Sequence, residues 1–198
     1  MDSKIRGLGR RFLLLGVVMA AAACAPSDAG REVVGPPTGA QASLLPLGGT
    51  VHLVLAPLRI LSVSDREVID EAGGKLHATD LLTGSSYDLL VPAGAVSGPT
   101  IFTLVVPPGN HYEADLTAQV RQPDGTLLDV GKRGFQRPVT LRIRYLSPLE
   151  LIIPSKLFIA WIDDNGVILQ GLPSKSSLLT STVQADLAHF SRYALASN

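Results

Sequence analysis

Cysteine occurs once in the chain, at position 24, so no internal disulfide can form. Whatever domain the sequence builds must hold together by packing alone. Aromatic residues are scarce at 5%. That excludes a core dominated by large rings and leaves Leu, Val, Ile and Ala to fill it. No segment sustains a 3.6-residue apolar period with caps, so long amphipathic helices are not expected. Excess charge is also missing: 17 Lys and Arg balance 17 Asp and Glu. Lys4, Arg6, Arg10 and Arg11 face only Asp2 within residues 1–23, which leaves the rest mildly acidic. A mildly acidic domain has no electrostatic footprint for nucleic acid, and no polybasic run follows residue 23. The chain also lacks a phosphate-cradling glycine loop, a Cys/His zinc pattern and a dinucleotide fingerprint, so no cofactor is expected.

What is present begins with an export segment. Residues 1–11 are basic and polar, and Phe12 to Ala23 is an apolar run of twelve. That run is too short to span a bilayer but matches the core of a signal peptide. It ends in Ala20-Ala21-Ala22-Ala23-Cys24, and small residues before a lone cysteine resemble a bacterial lipobox. The resemblance implies a signal peptide over 1–23, cleavage before Cys24, and acylation of its thiol and new amine. Ala21 stands where lipoboxes usually carry leucine. The other reading is ordinary cleavage at Ala21-x-Ala23, which leaves a soluble exported protein with a free thiol. Arg10-Arg11-Phe12-Leu13 hints at twin-arginine export. Ala25, rather than aspartate, follows the cysteine, which favours the outer membrane of the cell envelope. The expected partners are the membrane, through the lipid anchor, and an envelope protein or glycan.

Residues 24–49 are rich in Gly, Pro, Ala and Ser and read as a flexible tether. Residues 50–71 read as a strand-rich lead-in. Within it Val51–Val63 is mostly apolar and interrupted by Pro57, so it holds two short strands or a broken edge strand. From residue 74 the pattern is repeatedly β. Tyr87, Leu89 and Val91 alternate with Asp88 and Leu90. Val139, Leu141, Ile143 and Tyr145 alternate with Thr140, Arg142 and Arg144. Such period-two segments bury one face. Thr100–Val106 and Leu157–Ile162 are apolar on both faces and read as central strands. Gly- and Pro-rich turns separate the runs, and Asp164-Asn165-Gly166 predicts a hairpin with a type I′ turn. The expected class is an all-β, antiparallel β-sandwich over 72–198.

Four pieces in order carry a resemblance: Gly73-Gly74-x-Leu76; Leu89-Leu90-Val91-Pro92-Ala93-Gly94-Ala95-Val96; Phe135-x-x-Pro138-Val139-x-Leu141; and Ala188-His189-Phe190-Ser191-Arg192-Tyr193-Ala194-Leu195. The order resembles the ZU-five domain, the β-sandwich module of zonula occludens proteins, netrin receptors and ankyrins, over roughly residues 72–196. The resemblance implies a spacer or protein-binding module. It also implies a possible chemistry. In some proteins with this domain, His-Phe-Ser is an autoproteolysis site. Carried over, Ser191 is the nucleophile, His189 moves the proton, and Phe190–Ser191 is the bond cleaved once, through an N-to-O acyl shift. The bland reading puts Phe190 in the core, with His189 and Ser191 on the opposite side of a closing strand.

Other constellations are thinner. His111, Glu113 and Asp115 at i, i+2, i+4 share a strand face, as a metal trio or a hydrolytic cluster would, though a solvated stripe has the same spacing. Asp163-Asp164-Asn165-Gly166 has oxygen ligands but not the length of an EF-hand loop. Gly94-Ala95-Val96-Ser97-Gly98 misses the nucleophile elbow by one position. His52 and His77 have no partners at useful spacing, and Trp161 reads as core. No cofactor or metal site is therefore expected. The leading reading is a non-enzymatic envelope module, ahead of self-processing and of an envelope hydrolase.

Overall fold

The computed structural model describes residues 50–146, 156–177 and 179–198. The expected signal peptide, Cys24 and the expected tether lie outside these residues. The described chain is nearly all β, with antiparallel sheets packed together. The fifteen strands are β1 (His52–Leu53), β2 (Leu55–Arg59), β3 (Val63–Ile69), β4 (Gly74–Thr79), β5 (Ser86–Val91), β6 (Thr100–Val106), β7 (Gly109–His111), β8 (Glu113–Arg121), β9 (Leu127–Asp129), β10 (Val139–Arg144), β11 (Leu157–Ile162), β12 (Ile168–Gly171), β13 (Ser174–Ser177), β14 (Thr182–Leu187) and β15 (Arg192–Ser197). One sheet runs β12-β11-β15-β8-β6-β3, with β1 added beside β15 and β9 beside β8. The second runs β13-β14-β10-β5-β4, and β2 pairs with β7 as a separate ribbon.

The alternation seen in sequence becomes the sandwich core. Tyr87, Leu89, Leu141, Ile143 and Val183 of the five-stranded sheet are fully buried, as are Phe102, Leu104, Ile159 and Leu195 of the other. Each contributes roughly 1.5–3 kcal/mol on leaving water, and truncating one to alanine costs about 2–5 kcal/mol. The intervening residues (Asp88, Thr140, Arg142) lie on the outer face and are only partly covered. β11 is apolar on both faces, as expected of a central strand. Its reverse face, Phe158, Ala160 and Ile162, joins Ala194 and Ala196 in a second small cluster covered by Val51, Leu53 and Ile168.

The lead-in is continuous with the sandwich. β3 pairs with β6 along its whole length, from Val63–Val106 to Ile69–Thr100. Pro57 lies inside β2, where the pairing with β7 is irregular, because proline offers no N–H to the ladder. β3 and β4 are edges of different sheets joined by a turn. There Gly73 adopts φ +80°, and a Cβ would lie 2.5 Å from the Val91 carbonyl oxygen, so only glycine fits.

One turn differs from expectation. The β11–β12 hairpin closes at Asp163–Gly166, but only Gly166 takes a positive φ (+77°); Ser181 is the sole non-glycine with one among the described residues. The N–H of Gly166 donates to Asp163 O, and that of Asp163 donates to Val167 O. This is a three-residue loop, a type I turn followed by a left-handed glycine, rather than type I′. Asp163 Oδ1 accepts the N–H groups of Val167 and Asn165, which hold its carboxyl below the usual range. That side-chain capture keeps Asn165 out of the left-handed region.

Candidate functional site

The His189-Phe190-Ser191 motif occupies a corner, not a strand. The chain leaves β14 at Leu187, crosses to the other sheet through Ala188–Ser191, and starts β15 at Arg192. Phe190 drops into the core, edge-on to Phe135 at 4.6 Å and to Phe102 at 5.6 Å. Its N–H donates to Gly131 O at 2.9 Å. The 3-10 turn at Gly131–Arg133 comes this close because Gly131 has no side chain: a Cβ there would lie 3.0 Å from Phe190 Cβ and 3.1 Å from Ala118 N.

The corner is pinned from both sides. Tyr193 Oη donates to the His189 carbonyl at 2.6 Å. The Leu116 N–H donates to the Ser191 carbonyl at 3.0 Å, and the Phe135 N–H to the Ala188 carbonyl at 3.2 Å. Trp161 Nε1 donates to Ser191 Oγ at 2.9 Å, and the His189 ring stands edge-on to the Trp161 indole at 4.8 Å. A buried tyrosine whose hydroxyl reaches back to a carbonyl just upstream is the tyrosine corner of β-sandwiches. Burial pushes the Tyr193 phenol well above its ordinary value, so it stays a donor. Its one proton is spent on the carbonyl. In any contact with His189 Nδ1, 3.4 Å away, the imidazole is therefore the donor. The His189 ring and Ser191 Oγ both contact the Trp161 indole, but no hydrogen bond joins them among the described residues. None of the three residues has a positive φ.

His111, Glu113 and Asp115 do not converge. His111 closes β7 and Glu113 opens β8, with His111 Nδ1 3.6 Å from Glu113 Oε1. Asp115 is held bidentately by Arg192, Nε at 2.6 Å and Nη2 at 3.1 Å. The same carboxylate raises the pKa of Arg192. No group of three acidic, histidine or cysteine side chains able to hold a metal forms among the described residues. Ser97 lies in the β5–β6 connection.

His77 corrects the sequence reading, because it does have partners. Antiparallel pairing sets it opposite Asp88, eleven positions on. Asp88 Oδ1 lies 2.7 Å from His77 Nδ1, and His77 Nε2 lies 2.7 Å from Thr79 Oγ1. Carboxylate, imidazole and hydroxyl thus line up as in a hydrolytic triad. Burial pushes the Asp88 carboxyl up, but bonds from Lys75 and His77 outweigh it and leave it below the ordinary range. The row lies on the open outer face of the sheet. The His77 N–H is committed to Asp65 Oδ2 at 2.7 Å, and neighbouring N–H groups serve the ladder. On the same face, a shallow open groove of about 460 Å³ is lined by Gly74, Pro92, Arg137, Thr140 and Asp186. Its polar groups already bond within the fold: Arg137 to the Ala93 carbonyl, Thr140 to Asp186.

Sequence reasoning missed a buried ion pair at the other end. Arg59, 2% exposed, donates to the carbonyls of Pro107 and His111 and lies 4.0 Å from Asp80 Oδ2. Burial pushes the Asp80 carboxyl up. Bonds from Thr83 Oγ1 and the N–H groups of Leu82 and Thr83, with the Arg59 charge, bring it below the ordinary range. The signal available was a lone arginine inside the apolar run Val51–Val63.

These features define an antiparallel β-sandwich closed by a tyrosine corner. No protein-family model matches the chain, and no curated protein matches it.

Proposed function

We propose that the chain is a membrane-anchored envelope lipoprotein whose β-sandwich is a non-enzymatic binding or spacer module. One observation carries the non-enzymatic part. The reactive groups at the corner serve the fold and are not paired with one another: Ser191 Oγ accepts from Trp161, Asp115 pairs with Arg192, the His189 ring packs edge-on to Trp161, and no hydrogen bond joins His189 to Ser191 among the described residues. A nucleophile needs a base within reach and a group to take the developing negative charge, and the corner supplies neither pairing. The likeness of the four motifs to ZU-five domains supports the module role. The apolar run ending in small residues before Cys24 supports the anchor.

The test is the intact mass of the protein made with its own signal peptide, extracted from membranes and fully denatured. The expected chain starts at Cys24, carries acyl groups and ends at Asn198. A chain ending at Phe190 overturns the module reading in favour of single-turnover self-cleavage. A start elsewhere, without lipid, overturns the anchor.

A further inference from the structure

The two ends of the sandwich differ in chemistry. One end carries the tops of β6, β8, β10 and β14. The Tyr112 Oη bond to the Leu146 carbonyl (2.7 Å) and the Arg59–Asp80 pair tie the two sheets together there. Exposed aliphatic side chains gather at this end: Leu55, Leu58, Ile60 and Leu61 along and after β2, Leu81 and Leu82 in the β4–β5 turn, Leu146 just after β10, and Leu179 in the β13–β14 turn. Leu81 is 90% exposed and Leu179 100%. Other exposed aliphatics among the described residues are scattered: Val68 on the β3 edge, Leu127 on β9, Val167 and Leu169 on the β11–β12 hairpin. Water-facing leucines so grouped mark an interaction surface.

Few charges stand in the described turns around this patch. The segments 60–62, 81–85, 107–111 and 179–181 contain no Asp or Glu. Asp80 is turned inward and buried. Two basic side chains stand at this end among the described residues, Arg144 at the end of β10 and Lys156 at the start of β11, with the partly covered Glu113 beside His111 at the start of β8. The opposite end is polar, with Asp70 and Glu71 in the β3–β4 turn, Asp124 in the β8–β9 turn, and Lys132 and Arg133 beside Gly131.

The chain also arrives at the apolar end. β1 pairs His52 with Ser197, at the far end of β15, so Thr50 lies there. Twenty-five residues separate Thr50 from Cys24. We infer that this apolar end seats in the interface of the membrane leaflet that holds the Cys24 acyl chains. The leucines enter the headgroup–acyl boundary, and Arg144 and Lys156 meet lipid phosphates. The sandwich then stands end-on, with its charged end and its outer sheet face turned away from the lipid. The inference rests on the anchored reading, and it sets which surfaces remain open to a partner.

The test uses the full chain reconstituted in vesicles of phosphatidylethanolamine and phosphatidylglycerol. Single cysteines are introduced as Leu81→Cys, or as Asp124→Cys at the opposite end, and labelled with an environment-sensitive dye. The expected result is a blue-shifted Leu81→Cys label, with aqueous iodide quenching reduced several-fold and strong quenching by lipid-borne spin labels. The Asp124→Cys label stays open to iodide. Equal iodide access at both positions overturns the inference. So does shielding of the Leu81→Cys label before vesicles are added, with a doubled mass in solution, which assigns the patch to a second copy. Mass spectrometry reads Cys24 independently. If it carries dye instead of acyl chains, the anchor fails, and the label on protein mixed with excess vesicles still decides the lipid contact.

Discussion

The hydroxyl of Tyr193 donates to the carbonyl of His189, four residues upstream, at 2.6 Å. This bond fixes the crossing from one sheet to the other at the point where Phe190 enters the core. Tyr193→Phe keeps the ring and removes only the donor, leaving a carbonyl under-satisfied. The expected cost is about 1–3 kcal/mol, read as a lower urea midpoint with unchanged slope. A variant as stable as the parent means that the carbonyl is satisfied without the phenol and that the corner does not depend on it.

Ser191→Ala separates architecture from chemistry. It removes the acceptor of the Trp161 indole N–H. Both groups are partly open to water, so the expected loss is about 0.5–1.5 kcal/mol, with a shift in Trp161 emission, the chain's one tryptophan. The denatured masses of parent and variant should differ only by the hydroxyl oxygen. A parent that is shorter than the variant by the residues after Phe190 would sink the structural account of this serine.

The fold was legible because its signals are local. Alternation at Tyr87–Val91 and Val139–Tyr145 needs only the period of two, and both segments are strands with one buried face. The double-sided apolar run Leu157–Ile162 also declared itself, and the second cluster around Phe158 and Ala160 explains it. Pairings between distant segments were not legible. His77 meets Asp88 only through the register of a hairpin, and Asp115 meets Arg192, seventy-seven positions away, only through the β8–β15 ladder. The turn at Asp163 was misjudged for a similar reason. Asn165-Gly166 alone signals type I′, and the decisive capture of backbone N–H groups comes from Asp163.

Arg59 and Asp80 are two buried charges 4.0 Å apart. Asp80→Ala removes the counter-charge and leaves a guanidinium in the interior, with an expected loss of about 3–5 kcal/mol. Arg59→Met combined with Asp80→Leu removes both charges and should be less harmful than Asp80→Ala alone, because no unpaired ion remains. Denaturant melts of the single and double variants check this. Additive losses would show that the two groups are not coupled.

All four tyrosines are buried: Tyr87, Tyr112, Tyr145 and Tyr193 are each at most 1% exposed. Burial is the leading cause that pushes each phenol above its ordinary value. The sign follows from proton counting. Below the unfolded tyrosine value of about 10, both states hold the proton and stability is intact. Above it the unfolded chain releases protons that the folded chain keeps, so the free energy of unfolding falls as pH rises toward the folded values. A spectrophotometric titration should therefore show little tyrosinate in the native protein through pH of about 10. The phenols should then ionise together, in one step that coincides with loss of β-sheet circular dichroism. A phenol that titrates normally while the sheet signal persists would place that tyrosine in contact with water and contradict the packing described for it.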